Sequence, residues 1–205
     1  MAAAAPVAMH RPLAAEDAAR ADFYALMARL LVDAPDAQLL GTIAQAGPLG
    51  AGSGLASAWQ ALVDASSAMD ADAAREEYDA LFGGLGKAKV SLYAGHYTGA
   101  GAVDHPRIRI QRELESLGLA HRSTTQPEDH VGALLDAMRV LVAGGAGRGP
   151  AKLEEQRRFF EGHVGPGATK FFAAVAAAKE ANYYRRVAAL GAAFLAIETE
   201  SFRMD

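Results

Sequence analysis

The chain has 205 residues, 51% of them hydrophobic and 21% charged, a net charge of -4 at pH 7 and no cysteine. Such a length and composition predict one folded domain with a sizeable core and exclude a disordered segment, while the missing cysteine excludes disulfides, a thiolate nucleophile and cysteine-ligated metal centres. Residues 1–104 carry 6 Lys+Arg against 12 Asp+Glu and residues 105–205 carry 14 against 12, so neither half is basic enough to make nucleic acid the main partner.

Much of the apolar share is alanine, which favours helix and lets helices approach closely, so an all-α protein is expected. The opening Met1–Pro12 has no basic region ahead of its short apolar run, so it is not read as a secretory signal but as a frayed tail, with the helical domain spanning 13–205. No window approaches the roughly eighteen unbroken apolar residues of a membrane span, and the expected location is the cytoplasm without membrane insertion.

Phe23, Leu26, Met27, Leu30 and Leu31 mark one face of a first helix from Leu13 to Val32, stopped before Asp33-Ala34-Pro35. Asp36 is placed to cap a second helix ending near Ile43, and Gly47-Pro48 with the Gly50–Gly54 run reads as a loop. Leu55 to Met69 forms a third helix with Trp59 inward, and Asp70 or Asp72 caps a fourth that ends at Phe82. The next stretch, Gly83 to Gly99, has no helical period but holds aromatics among its glycines, which predicts an ordered loop of the length that is usually functional. A fifth helix starts near Pro106 and closes at Gly118.

Thr125 to Val142 is the stretch around which the rest is arranged. Val131, Leu134, Leu135, Met138, Leu141 and Val142 recur at steps of three and four, giving a core-facing stripe. Thr125 and Glu128 have capping-box spacing, Pro127 suits a first turn, and Glu128 and Asp129 suit the positive end of the dipole. Asp129 and His130 are expected side by side as a solvent-facing acid and imidazole able to meet a ligand, although first-turn acids and a surface histidine are also ordinary structure. Residues 144–150 are rich in glycine and read as a flexible connector. A helix from Ala151 to Glu161 follows, then His163-Val164-Gly165-Pro166-Gly167 is read as a turn into Phe171 and Phe172. A last helix from near Asn182 carries Tyr184, Val187, Leu190, Phe194 and Ile197 on one stripe and frays from Ser201 onward. The fold class is therefore all-α, a single-domain bundle of about eight or nine helices.

Catalytic and metal patterns are missing from the sequence. Glu128/His130 and Glu161/His163 are two apart and point to different sides of a helix, so no helical Glu-x-x-His metal pair forms. No His-Glu-x-x-His or Gly-x-Ser-x-Gly motif occurs, and Gly86-Lys87 is followed by alanine where a phosphate loop needs Ser or Thr. Neither an enzyme nor a resident cofactor or metal is expected.

Three stretches occur in order: Glu77–Gly84 with Ser91-Leu92-Tyr93, then Gln126-Pro127-Glu128-Asp129-His130-Val131-Gly132, then Phe159-Phe160-Glu161-Gly162-His163-Val164-Gly165-Pro166. Together they resemble the signature regions of the TorD/DmsD family of redox-enzyme maturation chaperones, and Tyr183 to Leu190 resembles that family's final helix. The resemblance implies an all-helical cytoplasmic chaperone that binds the twin-arginine leader of a molybdenum-containing oxidoreductase and holds it back from export until the cofactor is in place. It also implies a peptide-binding region containing Glu128, Asp129 and His130, faced by Leu81, Phe82, Ser91 and Tyr93. Gly167 stands where the family often has tryptophan. A second reading from another class is an assembly factor that grips the body of a molybdoenzyme subunit without leader recognition, and a third is a small-molecule or nucleotide-binding regulator. The expected state is a monomer, with a helix-swapped dimer across the 144–150 connector as the other possibility.

Overall fold

The structure, a computed structural model, describes residues 13–50, 54–83, 88–99, 106–119, 127–145 and 147–204. The expected tail at 1–12, the Gly86-Lys87 pair, Thr125 of the proposed capping box and most of the 119–126 connection lie outside the described residues.

Ten α-helices and one π segment are laid down in order: α1 Ala15–Val32, α2 Ala37–Ala44, α3 Gly54–Ala68, α4 Ala71–Phe82, α5 Gly95–Thr98, α6 Pro106–Ser116, α7 Val131–Ala143, α8 Leu153–Phe159, π segment Phe160–Val164, α9 Gly165–Ala177 and α10 Tyr183–Met204. Since α8, the π segment and α9 form one continuous run, the described residues make nine helices in an all-α fold, as the sequence predicts. Two caps fall where short polar side chains called for them. Asp36 Oδ1 accepts from the Leu39 N–H and Asp70 Oδ1 from the Ala73 N–H, each at 2.8 Å, satisfying amides that a helix start leaves unpaired.

The core is built on two broad contacts, α1 against α7 and α10 against α3 and α9. Small residues set the spacing: a Cβ at Gly132 would lie 3.2 Å from the Ala28 carbonyl oxygen, and one at Gly191 would lie 2.4 Å from the Phe172 ring. Tyr24, Met27, Leu30, Leu134, Met138, Tyr184, Leu190 and Phe194 are buried between these helices, so the periodic stripes read from the sequence do face inward.

The last stripe differs at its end. Ile197 is exposed and Glu198 is buried in its place, bonded to Arg20 Nε at 2.8 Å and to the Tyr24 hydroxyl at 2.8 Å. An ion pair bonded to a third group can occupy a core position that periodicity alone assigns to an aliphatic residue. The helix also runs through Met204 with Phe202 buried on Phe160, so the expected fraying from Ser201 is not found up to that residue.

The expected turn at 163–167 is also absent. Pro166 has no N–H to give, and the chain meets it with a π segment whose ladder already reaches five residues back, Gly165 N–H to Phe160 carbonyl, so helix continues across the proline. Gly165 and Gly167 mark close approach: a Cβ at Gly167 would stand 2.6 Å from the Ala94 Cβ. There is no room there for the tryptophan common at this position in the family that the sequence resembles.

On either side of the undescribed position 146 the chain closes on itself. Gly144 has φ 77°, Gly145 and Arg148 form an isolated bridge, and the Arg148 guanidinium bonds the Leu117 carbonyl.

Candidate functional site

Segment 88–99 and the entry to α7 are the two elements that build the site. Their backbones pair: the Ala94 N–H donates to the Asp129 carbonyl and the Val131 N–H to the Leu92 carbonyl, both at 2.8 Å, with Tyr93 and His130 as an isolated antiparallel bridge. The first and middle motifs, far apart in sequence, therefore meet in space. Of the ordered loop expected from its aromatics, the described part 88–99 is held by that pairing and by the Tyr97 hydroxyl, which donates to the Ser91 carbonyl at 2.8 Å. Its far end forms α5, where Lys170 Nζ bonds the Tyr97 carbonyl at 3.0 Å.

α7 begins at Val131, later than the capping-box reading, with His130 as its N-cap: Nδ1 accepts from the Gly132 N–H at 3.1 Å. Glu128 and Asp129 occupy the preceding turn. In place of the solvent-facing pair expected from the sequence, Asp129 is 8% exposed and His130 only 1%. The capping role turns the imidazole inward, where the Tyr93 ring meets it edge-on at 5.9 Å. Burial pushes His130 down to about 4, so its neutral form prevails at neutral pH. Glu128 is held by Arg107 Nε at 2.5 Å.

Asp129 differs from its neighbours. Among the described residues its carboxylate accepts no hydrogen bond, and it lies against Gly95, whose Cβ position would be 3.0 Å from Oδ2. Beside Gly95 opens a groove of about 230 Å³ between α5, α6 and the π segment, with Pro106 and Ile110 on one wall, Gly162 and His163 on another, and Arg109 at the rim.

The remaining expected site residues divide by burial. Tyr93 is exposed at 42% and Ser91 is half-buried, its hydroxyl accepting from the Tyr93 N–H at 3.3 Å. Leu81 and Phe82 are buried in the core; the Leu81 carbonyl accepts from the Lys89 and Val90 N–H groups and so anchors the start of the segment from beneath. Two arrangements escaped the sequence reading. Glu77 on α4 caps α10 from across the molecule, its two oxygens accepting from the Asn182, Tyr183 and Tyr184 N–H groups at 2.8, 2.9 and 2.8 Å. Glu113 on α6 binds Arg158 Nε at 2.9 Å and His163 Nε2 at 2.7 Å. No local pattern encodes either contact. Among the described residues no cluster of three or more His, Asp or Glu is arranged to hold a metal.

A family model described as the nitrate reductase delta subunit matches residues 50–173, which run from α3 through both halves of the site into α9. The chain belongs to that family. It is a family of chaperones for molybdoenzyme maturation, so the partner class is a molybdoenzyme subunit. The matched range contains all three motifs. No curated protein matches the chain. No helix among the described residues is long and apolar enough to cross a membrane.

Proposed function

We propose that the chain binds the twin-arginine leader of a molybdoenzyme catalytic subunit in the cytoplasm and holds it from export until the cofactor is inserted. The observation that carries this reading is the Asp129 carboxylate, unbonded among the described residues and set beside a groove. Such a carboxylate takes a guanidinium in a charge-assisted pair, and the groove's Pro106 and Ile110 suit the leader's apolar stretch. The reading assigns no catalytic step and no resident cofactor. Titration calorimetry with the synthetic leader peptide of the client tests it: wild type binds, and Asp129→Asn weakens binding about tenfold or more, the usual scale of a lost charged hydrogen bond. A leader that gives no heat with wild type, or binds Asp129→Asn equally well, removes the reading.

Grip on the body of the subunit is the second reading. It is favoured by exposed Lys89, Arg107 and Arg109, which surround the site with charges that repel an arginine pair. Co-purification with a leaderless catalytic subunit separates the two. The chain is taken to act as a monomer, with helix exchange across 144–150 as the route to a dimer; sedimentation at rising concentration reports that.

A further inference from the structure

The groove beside Gly95 holds about 230 Å³, short of the roughly 300–1,000 Å³ of sites that enclose a ligand. To take in a stretch of chain it has to widen, and its walls are unequal. Gly162 and His163 belong to the π segment, which buries Phe160, His163 and Val164 and runs without a break into α8 and α9. On the α5 side the Ala94 N–H is tied to the Asp129 carbonyl and the Tyr97 carbonyl to Lys170. α6 supplies Pro106, Arg109 and Ile110, and Ile110 is the one residue it buries. Among the described residues its widest helix-to-helix contact is with the four-residue α5.

What holds α6 in place is mostly polar. At its start Arg107 Nε bonds Glu128 at 2.5 Å, and just past its end the Leu117 carbonyl accepts from the Arg148 guanidinium. Midway, Glu113 reaches across to His163 Nε2 at 2.7 Å and to Arg158 Nε on α8 at 2.9 Å. Arg107 and Arg158 are each about half exposed, so water and salt compete for these bonds and each is weak. We propose that α6 is the moving wall of the groove: it detaches while α7, α9 and α10 stay folded, and Glu113 is the clasp that keeps it shut. A helix with one buried side chain and screened tethers belongs to the low-stability end of a fold, where opening occurs without global unfolding. The opening is a property of the chain alone and does not depend on which client segment enters.

The absence of cysteine makes this measurable. Ile110→Cys and, separately, Leu134→Cys in α7 each place a single buried thiol in the chain. Labelling by iodoacetamide, which carries no charge, reports how often each is uncovered. The thiol at 110 is expected to react about tenfold faster than the one at 134 or more, because it awaits only local opening. Adding Glu113→Gln should speed it about tenfold again, the scale of a lost charged hydrogen bond, and leave the thiol at 134 within about twofold. Raising NaCl to about 1 M should act in the same direction. Equal rates at 110 and 134 overturn the proposal, as does a rate at 110 that neither Glu113→Gln nor salt changes, or a rise shared by both positions. Should Ile110→Cys fail to fold, hydrogen exchange of the wild type decides: amides of 106–116 that speed up in salt while those of α7 do not uphold the moving wall, and any other pattern overturns it. Every measurement is made without ligand, so failure of a leader to bind leaves this result standing.

Discussion

At the scale of single residues, His130 couples the site to acid. Its folded value of about 4 lies below the ordinary 6.5, so between those limits the unfolded chain binds the proton and the folded chain does not. Its share of stability is therefore whole above pH 6.5 and drains away as pH falls toward 4. Each unit is worth about 1.4 kcal/mol, so urea unfolding at pH 7.5 and 4.5 should show wild type losing about 2 kcal/mol more than His130→Asn, which caps the helix without titrating. Glu77 gives a second expectation. Removing its carboxylate in Glu77→Ala unpairs three amides at the start of α10 and should lower unfolding free energy by about 2 kcal/mol, read from the same denaturation curves. Asp36 and Asp70 could be foreseen because cap and capped amide are three residues apart, whereas Glu77 serves amides 105 to 107 residues away. The sequence predicts His130 exposed at the mouth of a helix, and it is buried there, because a residue drawn into capping turns toward the helix it caps.

Among the elements, helix bodies were legible because an amphipathic stripe is a local property, and α1 through α4 stand within a residue or two of their expected limits. Glycine was the source of error. It marks either a bend or a close approach, and only the three-dimensional neighbour distinguishes them: Gly165 meets Phe160, Gly167 meets Ala94, and neither breaks the helix. Gly167→Ala should therefore cost about 1–3 kcal/mol by overpacking and shift the amide resonances of Ala94 and Tyr93, because α9 is forced against the segment that carries them. α6 provides a contrast, since Ile110 is its only buried residue. Its amides should exchange with solvent well before those of α7, seven of whose residues are buried, in native-state hydrogen exchange.

For the molecule as a whole, the all-α class followed from composition and the meeting of two motifs followed from their family resemblance; the depth at which Asp129 and His130 sit followed from neither. Ionic strength bears on client capture. If a cationic leader is drawn to Asp129, its affinity should fall several-fold between 0.1 and 1 M salt, as the screening length shrinks from about 10 to 3 Å, while binding of an apolar body surface should hold or strengthen. Isothermal titrations at the two salt concentrations decide between them.

The closure of α10 over α1, through Glu198 on Arg20 and Tyr24, ties together two segments more than 170 residues apart in the sequence. On the ribosome, α1 and α7 can meet early, but the bed for Tyr24 is incomplete until α10 has emerged. A product cut short before residue 183 would expose the Phe172 and Tyr24 surfaces that α10 covers. Such a fragment would itself need protection from aggregation, so competence to guard another polypeptide arrives only with α10.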